Sequence, residues 1–499
     1  MNLIFCVVWC CLWWGSLANE SSFMKLVGVG KPYLPISTRS LVFENKWFEQ
    51  KLDHFNPIDT RTWKQRYQMN LKYYKRGGPV FLLIGGEDKI SQDWMNGGAW
   101  IEYAQKCNAL CFQLEHRYYG KSHPTGNLNT TNLLFLNIEQ ALADLATFIS
   151  TITNENEKLL LNAKWVVFGG SYAGSLAAWA RMKYPHLIYA AVSSSGALSA
   201  KIDYKEYYMT AQNALSDYNL KCASRIREAT GMINDYLKTI EGAKYIEKKF
   251  KTCTHIDINN KKDITQLFDN LAIPIALIIQ FNKDNRYYEN VDRSSISIVT
   301  LCNMMLDKSL GNELERYADL HRLLRSVNNK ECIVNKYQSI VNAFKETSWK
   351  KQFVKSGDRQ WLYQTCTELG HFVTSNEDDH LFGKTIQLNY FIDRCSDVFG
   401  NSYDFNALNK AIKNSNLMFK NLKTKTSRVI YLHGSIDPWN KLGLTQPQSN
   451  NSVSIFIEGV SHCADLYPST PSDPPQLTNA RREVLYYLKK WMLETRNVI

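Results

Sequence analysis

The 499 residues are 44% hydrophobic and 21% charged, enough apolar content for a large core in two or three structural units of roughly 150 residues each. Lysine and arginine (59) exceed aspartate and glutamate (47) by 12, but the excess is scattered in short clusters such as Lys248-Lys249-Phe250-Lys251 and Lys261-Lys262. Without a long basic stripe, nucleic acid is not an expected partner, and the extra charge reads as solvated surface.

From the N-terminus, the first 18 residues hold no charge, run almost wholly apolar from Leu3 to Trp14, and close on Gly15-Ser16-Leu17-Ala18. This pattern predicts a signal peptide over residues 1–18, because an apolar run of about 12 is shorter than the roughly 20 residues that span a bilayer. No other stretch is apolar enough to cross a membrane, and the polar tail from Glu494 to Ile499 is no lipid-anchor signal. A secreted or lysosomal protein without a membrane span is therefore expected. Sequons at Asn19, Asn129 and Asn450 fit export as glycan acceptors. Of 12 cysteines, Cys6, Cys10 and Cys11 lie in the signal segment, which leaves nine, an odd number. None has CxxC spacing or alternates with histidine as zinc ligands do, so disulfides are expected, and neither a metal nor another cofactor.

Strand-like apolar runs follow at Pro79 to Ile84, Ala109 to Glu115, Trp165 to Phe168 and Ile188 to Ser193, then at Arg428 to Leu432 and Val453 to Ile457. They alternate with helical patterns, which predicts an α/β fold whose parallel sheet is covered on both faces. One helix is predicted from Ile138, Ala141, Leu142, Leu145, Ile149 and Ile152, with Asn137 as its cap and Gln140 three residues on. Another enters through Pro474-Pro475 and carries Leu477, Ala480, Val484, Leu488 and Trp491 on one face. Residues 198–410 differ: they are rich in Lys, Asn and Tyr, have few continuous apolar runs, and hold six of the nine remaining cysteines. They are predicted to form an inserted, largely helical domain, dividing the core into 19–197 and 411–499.

Gly169-Gly170-Ser171-Tyr172-Ala173-Gly174 stands between the third strand and a helical run through Leu176, Ala177 and Trp179. Strand, sharp turn and helix with a serine at the apex form a nucleophile elbow, which points to acyl transfer. Ala173 departs from the glycine of the usual pattern and is the smallest departure available. In this architecture the acid and then the base follow the serine. His462, in the loop Gly459-Val460-Ser461-His462 after the last strand, is the expected base. Asp437, in His433-Gly434-Ser435-Ile436-Asp437-Pro438-Trp439 after the preceding strand, is the expected acid. Asp465 is a rival carboxylate three residues beyond the histidine, and Ser193, Ser194 and Ser195 end a strand without an elbow. Singly, Ser171 could be a small junction residue, Asp437 a turn former and His462 a surface histidine; their shared order and settings favour chemistry. The oxyanion hole is expected from the backbone N–H groups of Tyr172 and of Gly86, in Leu83-Ile84-Gly85-Gly86-Glu87.

These residues, with Trp47 to Phe55, Glu115-His116-Arg117-Tyr118-Tyr119-Gly120-Lys121-Ser122, Asp358-Arg359-Gln360-Trp361-Leu362-Tyr363-Gln364-Thr365-Cys366-Thr367-Glu368, Asp437-Pro438-Trp439 and Ser461-His462-Cys463, resemble the prolyl carboxypeptidase family of serine peptidases. That family includes dipeptidyl peptidase II, and the likeness is strongest to its branch of thymus-specific serine protease and invertebrate relatives. The resemblance covers nearly all of the chain beyond the signal segment. It implies an α/β-hydrolase core with a helical cap, a Ser171, Asp437 and His462 triad, and hydrolysis after proline near one end of a peptide. It further implies Trp439 in the proline pocket and disulfides Cys222 to Cys302, Cys253 to Cys332 and Cys366 to Cys395. Cys107, Cys111 and Cys463 are left over, with a Cys107 to Cys111 bridge open. Expected partners are peptides with a free terminus, and a homodimer is left open. Which terminus is read is undecided at this level. An esterase or lipase on the same core, or a hydrolase-like binding protein without catalysis, is the alternative.

Overall fold

The computed structural model describes residues 32, 43–160, 162–283, 296–376, 380–423, 425–447 and 451–494. The expected signal peptide and the sequon residues Asn19 and Asn450 lie outside them.

Eight strands make one sheet: β1 (Lys46–Lys51), β2 (Thr62–Asn70), β3 (Val80–Ile84), β4 (Leu110–Leu114), β5 (Trp165–Gly170) and β6 (Ile188–Ser194), then, beyond the cap and its own short strands β7 (Lys201–Asp203) and β8 (Gly370–Phe372), β9 (Val429–Gly434) and β10 (Val453–Ile457). Their order is β1-β2-β4-β3-β5-β6-β9-β10. The six strands from β3 to β10 in this sheet pair in parallel, whereas β1 and β2 run antiparallel to their neighbours. The sheet is therefore mixed, not wholly parallel as the sequence pattern predicts. Of the six predicted strands, five are buried throughout and the edge strand β10 is an apolar run that is mostly half-buried, whereas β1 and β2 mix buried and exposed side chains and are rich in Lys, Gln, Glu and Arg. A half-exposed strand of this kind gives no continuous apolar run to read.

Helices α1 (Ala99–Cys107), α2 (Ile138–Glu155) and α3 (Tyr172–Lys183) belong to the first part of the core. The Asn137 side chain accepts from the Gln140 N–H and caps α2. Gln140 does not complete a capping box; its side chain bridges Asp53 and the His54 N–H instead.

Between β6 and β9 the chain forms the cap, whose helices include α4 (Glu206–Tyr236), α5 (Lys261–Gln280), α6 (Ile298–Leu306), α7 (Asp358–Gln364), α8 (Leu388–Phe399) and α9 (Phe405–Phe419). They enclose an apolar cluster that also takes in Tyr118, Tyr119, Leu133 and Trp439 of the core segments. The domain boundary expected at residue 410 falls inside α9, whose Leu408 and Ile412 join the cap cluster while Phe419 packs among core residues. Three disulfides tie the cap, Cys222–Cys302, Cys253–Cys332 and Cys366–Cys395, the pairing that the resemblance implies. Cys107, Cys111 and Cys463 are free thiols, so no Cys107 to Cys111 bridge forms.

Helix α10 (Pro475–Leu493) closes the chain. It packs with α1 on one face of the sheet, and α2 and α3 cover the other. This is an α/β-hydrolase core with a helical insertion.

Two of the segments that carry the resemblance, Trp47 to Phe55 and Glu115 to Ser122, make scaffold contacts. Arg117 is wholly buried and forms a two-pronged ion pair with Asp144, at 2.7 Å for each nitrogen, while His54 bonds the same carboxylate at 2.7 Å. Burial alone would raise the Asp144 carboxyl, but the Arg117 charge and these bonds hold it below its usual value. Arg117 also donates to the Leu52 and Phe135 carbonyls, so it pins the edge strand to the loop before α2. Asp144→Ala should lower the free energy of unfolding by about 3–5 kcal/mol, because it leaves a buried guanidinium uncompensated; urea denaturation followed by tryptophan fluorescence checks this.

Candidate active site

Strand β5 delivers Ser171 to the turn into α3, with φ 59° and ψ −129°. A non-glycine residue in this region is strained and persists only where its surroundings over-determine it. The restraints are visible: the Ser171 N–H donates to the Ser194 carbonyl at 2.9 Å, and Ser193 Oγ donates to the Gly174 carbonyl at 2.8 Å. A Cβ on Gly169 would lie 2.0 Å from the Ala173 carbonyl oxygen, and one on Gly174 would lie 2.7 Å from that of Ser194. Those two positions require glycine. The departure at Ala173 is accommodated, since its Cβ faces Gly86, where an added Cβ would meet it at an ordinary 3.4 Å. The loop after β3 therefore lies against the elbow, and a cavity of about 60 Å³ there is lined by Gly85, Gly86, Glu87, Gly170, Ala173 and Leu466.

The Tyr172 ring is buried and held from both sides. Its hydroxyl accepts from Gln364 Nε2 of the cap at 2.8 Å and bonds His116 Nε2 at 3.2 Å, while Tyr119 donates to Gln364 Oε1 at 2.7 Å. Glu368 accepts from the Ile138 N–H at the start of α2. Through these residues the segment Asp358 to Glu368 ties the cap to the elbow.

Asp437 and His462 are both completely buried and hydrogen-bonded, Nδ1 to Oδ1, at 2.9 Å. A Cβ on Gly434 would fall 1.9 Å from the Val460 carbonyl oxygen, so the two loops approach closely only because glycine ends β9. The same Asp437 oxygen accepts from the Trp439 N–H at 2.9 Å. Burial opposes both charges, yet each partner's charge and the shared bond prevail: Asp437 is held below the usual carboxylate range and His462 above the usual imidazole range. With Nδ1 engaged by the carboxylate, Nε2 is the nitrogen left for a reacting group, and among the described residues it has no hydrogen-bond partner. Ser171 and His462 are not hydrogen-bonded to each other; such contacts commonly tighten only with substrate bound.

Asp465 is engaged elsewhere, accepting from Ser194 Oγ at 2.5 Å, and Ser195 Oγ accepts from the Cys463 N–H at 2.9 Å. The three serines ending β6 thus brace the elbow and the turn after His462. Trp439 is 3% exposed, and its indole packs near Tyr204, Tyr207 and His371. Asn129, the one sequon asparagine among the described residues, is exposed.

Two residues near this pair carry no signal that sequence reading used. Gln280, the last residue of α5, accepts the His462 N–H on its carbonyl at 2.9 Å and the Trp439 indole N–H on its side chain at 3.0 Å. Nothing in a helical apolar run marks its end as a contact to two distant loops. His433 directly follows Leu432 and is a second histidine beyond the predicted strand end; β9 continues to Gly434, so His433 is inside the strand, and burial pushes it down to about 4. Among the described residues no cluster of three or more His, Cys, Asp or Glu could hold a metal ion, and no helix is long and apolar enough to cross a membrane.

The chain as a whole matches the profile of the serine carboxypeptidase S28 family over residues 50–484. It is 32% identical to thymus-specific serine protease of Mus musculus over 464 residues, covering 89% of this chain and 87% of that one. The human thymus-specific serine protease is likewise 32% identical over 461 residues, covering 89% and 86%. Lysosomal Pro-X carboxypeptidase of Homo sapiens is 26% identical over 500 residues, covering 96% and 95%. Among solved structures, proline iminopeptidase of Mycobacterium smegmatis aligns with a TM-score of 0.38 at 11% identity, over 89% of this chain and 99% of that one.

Replacing the buried carboxylate tests the electrostatics. Asp437→Asn should lower kcat by about 10⁴-fold, because the imidazole loses its tautomer control. With His462 as the expected base, it should also move the acid limb of kcat/KM to lower pH: the raised pKa of His462 keeps the imidazole protonated until that pKa is passed, and removing the carboxylate lets it fall. A pH–rate profile of both proteins measures this.

Proposed function

On the premise that the chain belongs to the serine carboxypeptidase S28 family and is a serine-type peptidase, we propose that it is an exopeptidase cleaving near a chain terminus, after proline, through an acyl-enzyme on Ser171. The observation that carries this reading is the buried bond between Asp437 and His462, in a turn whose Cys463 N–H bonds Ser195 next to the Ser194 carbonyl that holds the strained Ser171.

His462 Nε2 takes the Ser171 hydroxyl proton as Oγ attacks the scissile carbonyl, and returns it to the departing amine as the tetrahedral adduct collapses. Asp437 holds Nδ1 protonated and stabilises the imidazolium formed between those steps. Water then attacks the acyl-enzyme with His462 again as base. The Tyr172 and Gly86 N–H groups take the developing oxyanion, a role supported by the close approach of Gly86 to Ala173; one such donor contributes about 3 kcal/mol to the transition state.

Cleavage after proline is supported by a relative named for it, lysosomal Pro-X carboxypeptidase, and by the aromatic group of Tyr204, Tyr207 and His371 around Trp439. A ring-shaped apolar side chain suits such a surface. A peptide with a free terminus suits a site roofed by a cap, which excludes folded chains. Three disulfides fit the oxidising secretory pathway, and we assign the protein there, secreted or lysosomal, with Asn129 as a glycan acceptor.

A free-amine Xaa-Pro-coumarin and an N-blocked Xaa-Pro-Xaa peptide, assayed at pH 5 and pH 7.5, test the reading. The wild type should turn over one of the two, and Ser171→Ala should lose at least about four orders of magnitude in kcat. Rapid ester hydrolysis with neither peptide cleaved would contradict it and favour an esterase.

A further inference from the structure

His462 stands at the head of a turn whose backbone is under strain. Cys463, immediately after it, has φ 55° and ψ 20°, a left-handed conformation, and Ala464–Leu466 form one short 3₁₀ turn. A turn this short cannot satisfy its own carbonyls, which converge at its C-terminal end and carry the negative pole of the local dipoles. From α10, on the far side of the turn, the Arg481 guanidinium fills that convergence. Nε donates to the Asp465 carbonyl at 3.1 Å, and Nη2 donates to those of Ala464 at 2.8 Å and Tyr467 at 3.0 Å. Nη1 is paired with the Asp473 carboxylate, which is fixed in turn by the Thr470 N–H at 3.0 Å and the Thr470 hydroxyl at 2.8 Å. Arg481 is 6% exposed, so water does not compete freely for these bonds. Arginine alone among the side chains offers a rigid fork with donors in several fixed directions.

We propose that Arg481 is a positioning residue for the reaction, gripping the three carbonyls of the turn so that His462 stays bonded to Asp437 with Nε2 left for the reacting group. Arg481 touches neither substrate nor reacting atoms. Other supports of the turn each act at one point: the Gln280 carbonyl on the His462 N–H, Ser195 Oγ on the Cys463 N–H, the Cys463 thiol on the Ser194 carbonyl, Ser194 Oγ on Asp465, and Trp94 against the Tyr467 ring. Arg481 joins three carbonyls at once, so its loss frees the turn to relax out of the left-handed conformation at Cys463 and carries the His462 imidazole away from the acid. A displacement of about 1 Å at a reacting group costs on the order of 100-fold in rate. The charge facing Arg481 is that of Asp473, and Asp465 lies beside it with its carboxylate turned toward Ser194.

The proposal rests on the Ser171, Asp437 and His462 reading, and the test separates the two. Arg481→Met, Arg481→Lys, Asp473→Asn and Ser171→Ala are compared with the wild type in the full chain, by kcat and KM on the peptide substrate that the enzyme turns over. The pH–rate profile, the second-order rate of fluorophosphonate inactivation, and circular dichroism as the check of folding complete the set. Arg481→Met should lose on the order of 100-fold in kcat, with KM within about twofold and inactivation slowed in parallel. Its acid limb should shift to lower pH, since a displaced His462 no longer feels Asp437 fully. Arg481→Lys, with the charge but not the fork, should fall between the two, and Asp473→Asn should stay within about threefold, because the carbonyl contacts remain. Folded Arg481→Met or Arg481→Lys at the wild-type kcat would overturn the proposal, as would Asp473→Asn losing as much as Arg481→Met. If Arg481→Met does not fold, Arg481→Lys and Asp473→Asn decide by the same criteria. Retained activity in Ser171→Ala would instead overturn the underlying reading.

Discussion

The hydrogen bond between Asp437 and His462 is the interaction on which the rest depends, because both side chains are completely buried. A carboxylate in that setting is strongly destabilised unless a partner compensates its charge, and breaking such a pair costs several kcal/mol. The surrounding structure is arranged to keep the pair closed. Glycine at position 434 lets the two loops touch, and the cap seals them. Gln280, the last residue of a cap helix, holds the base loop by its backbone and the acid loop by its side chain. Tyr204, also of the cap region, donates to the Pro438 carbonyl at 2.6 Å. Cap and core are thus joined at the proposed chemistry itself, and the chain between β6 and β9 is part of the site as well as its roof.

The elbow poses the complementary problem, a strained residue that must not relax. Its strain is contained by the end of β6, where Ser193, Ser194 and Ser195 bond the α3 turn, Asp465 and the Cys463 N–H in succession. Three adjacent hydroxyls at one strand end therefore connect the elbow that presents Ser171 with the turn that presents His462. The Tyr172 ring, clamped by Gln364 and His116, fixes the residue whose N–H would face an oxyanion. Preorganisation of this kind is the physical source of most oxyanion-type stabilisation, since nothing has to reorient during the reaction.

Much of this was legible in the sequence, for identifiable reasons. The parallel strands leave apolar runs, so all six could be read, and chain order pointed to Asp437 and His462, which the fold pairs, because sheet topology fixes which strand ends are neighbours. The antiparallel β1 and β2 were hidden by their exposed lysines. Gln280 and Arg481 were hidden because each acts through contacts made by the tertiary fold, and a glutamine or arginine in a helix has no local pattern that distinguishes a brace from a solvated side chain. Asp465 shows the converse: proximity in sequence made it a rival acid, and the fold turns its carboxylate to Ser194.

That Ser171 is the nucleophile is tested most directly by mapping the covalent adduct left by a fluorophosphonate probe, using peptide mass spectrometry on the folded protein. A single modification, on the peptide containing Ser171 and abolished by prior denaturation, is the predicted result. An unlabelled protein that nevertheless cleaves peptides, or a label on any other serine, would contradict the account.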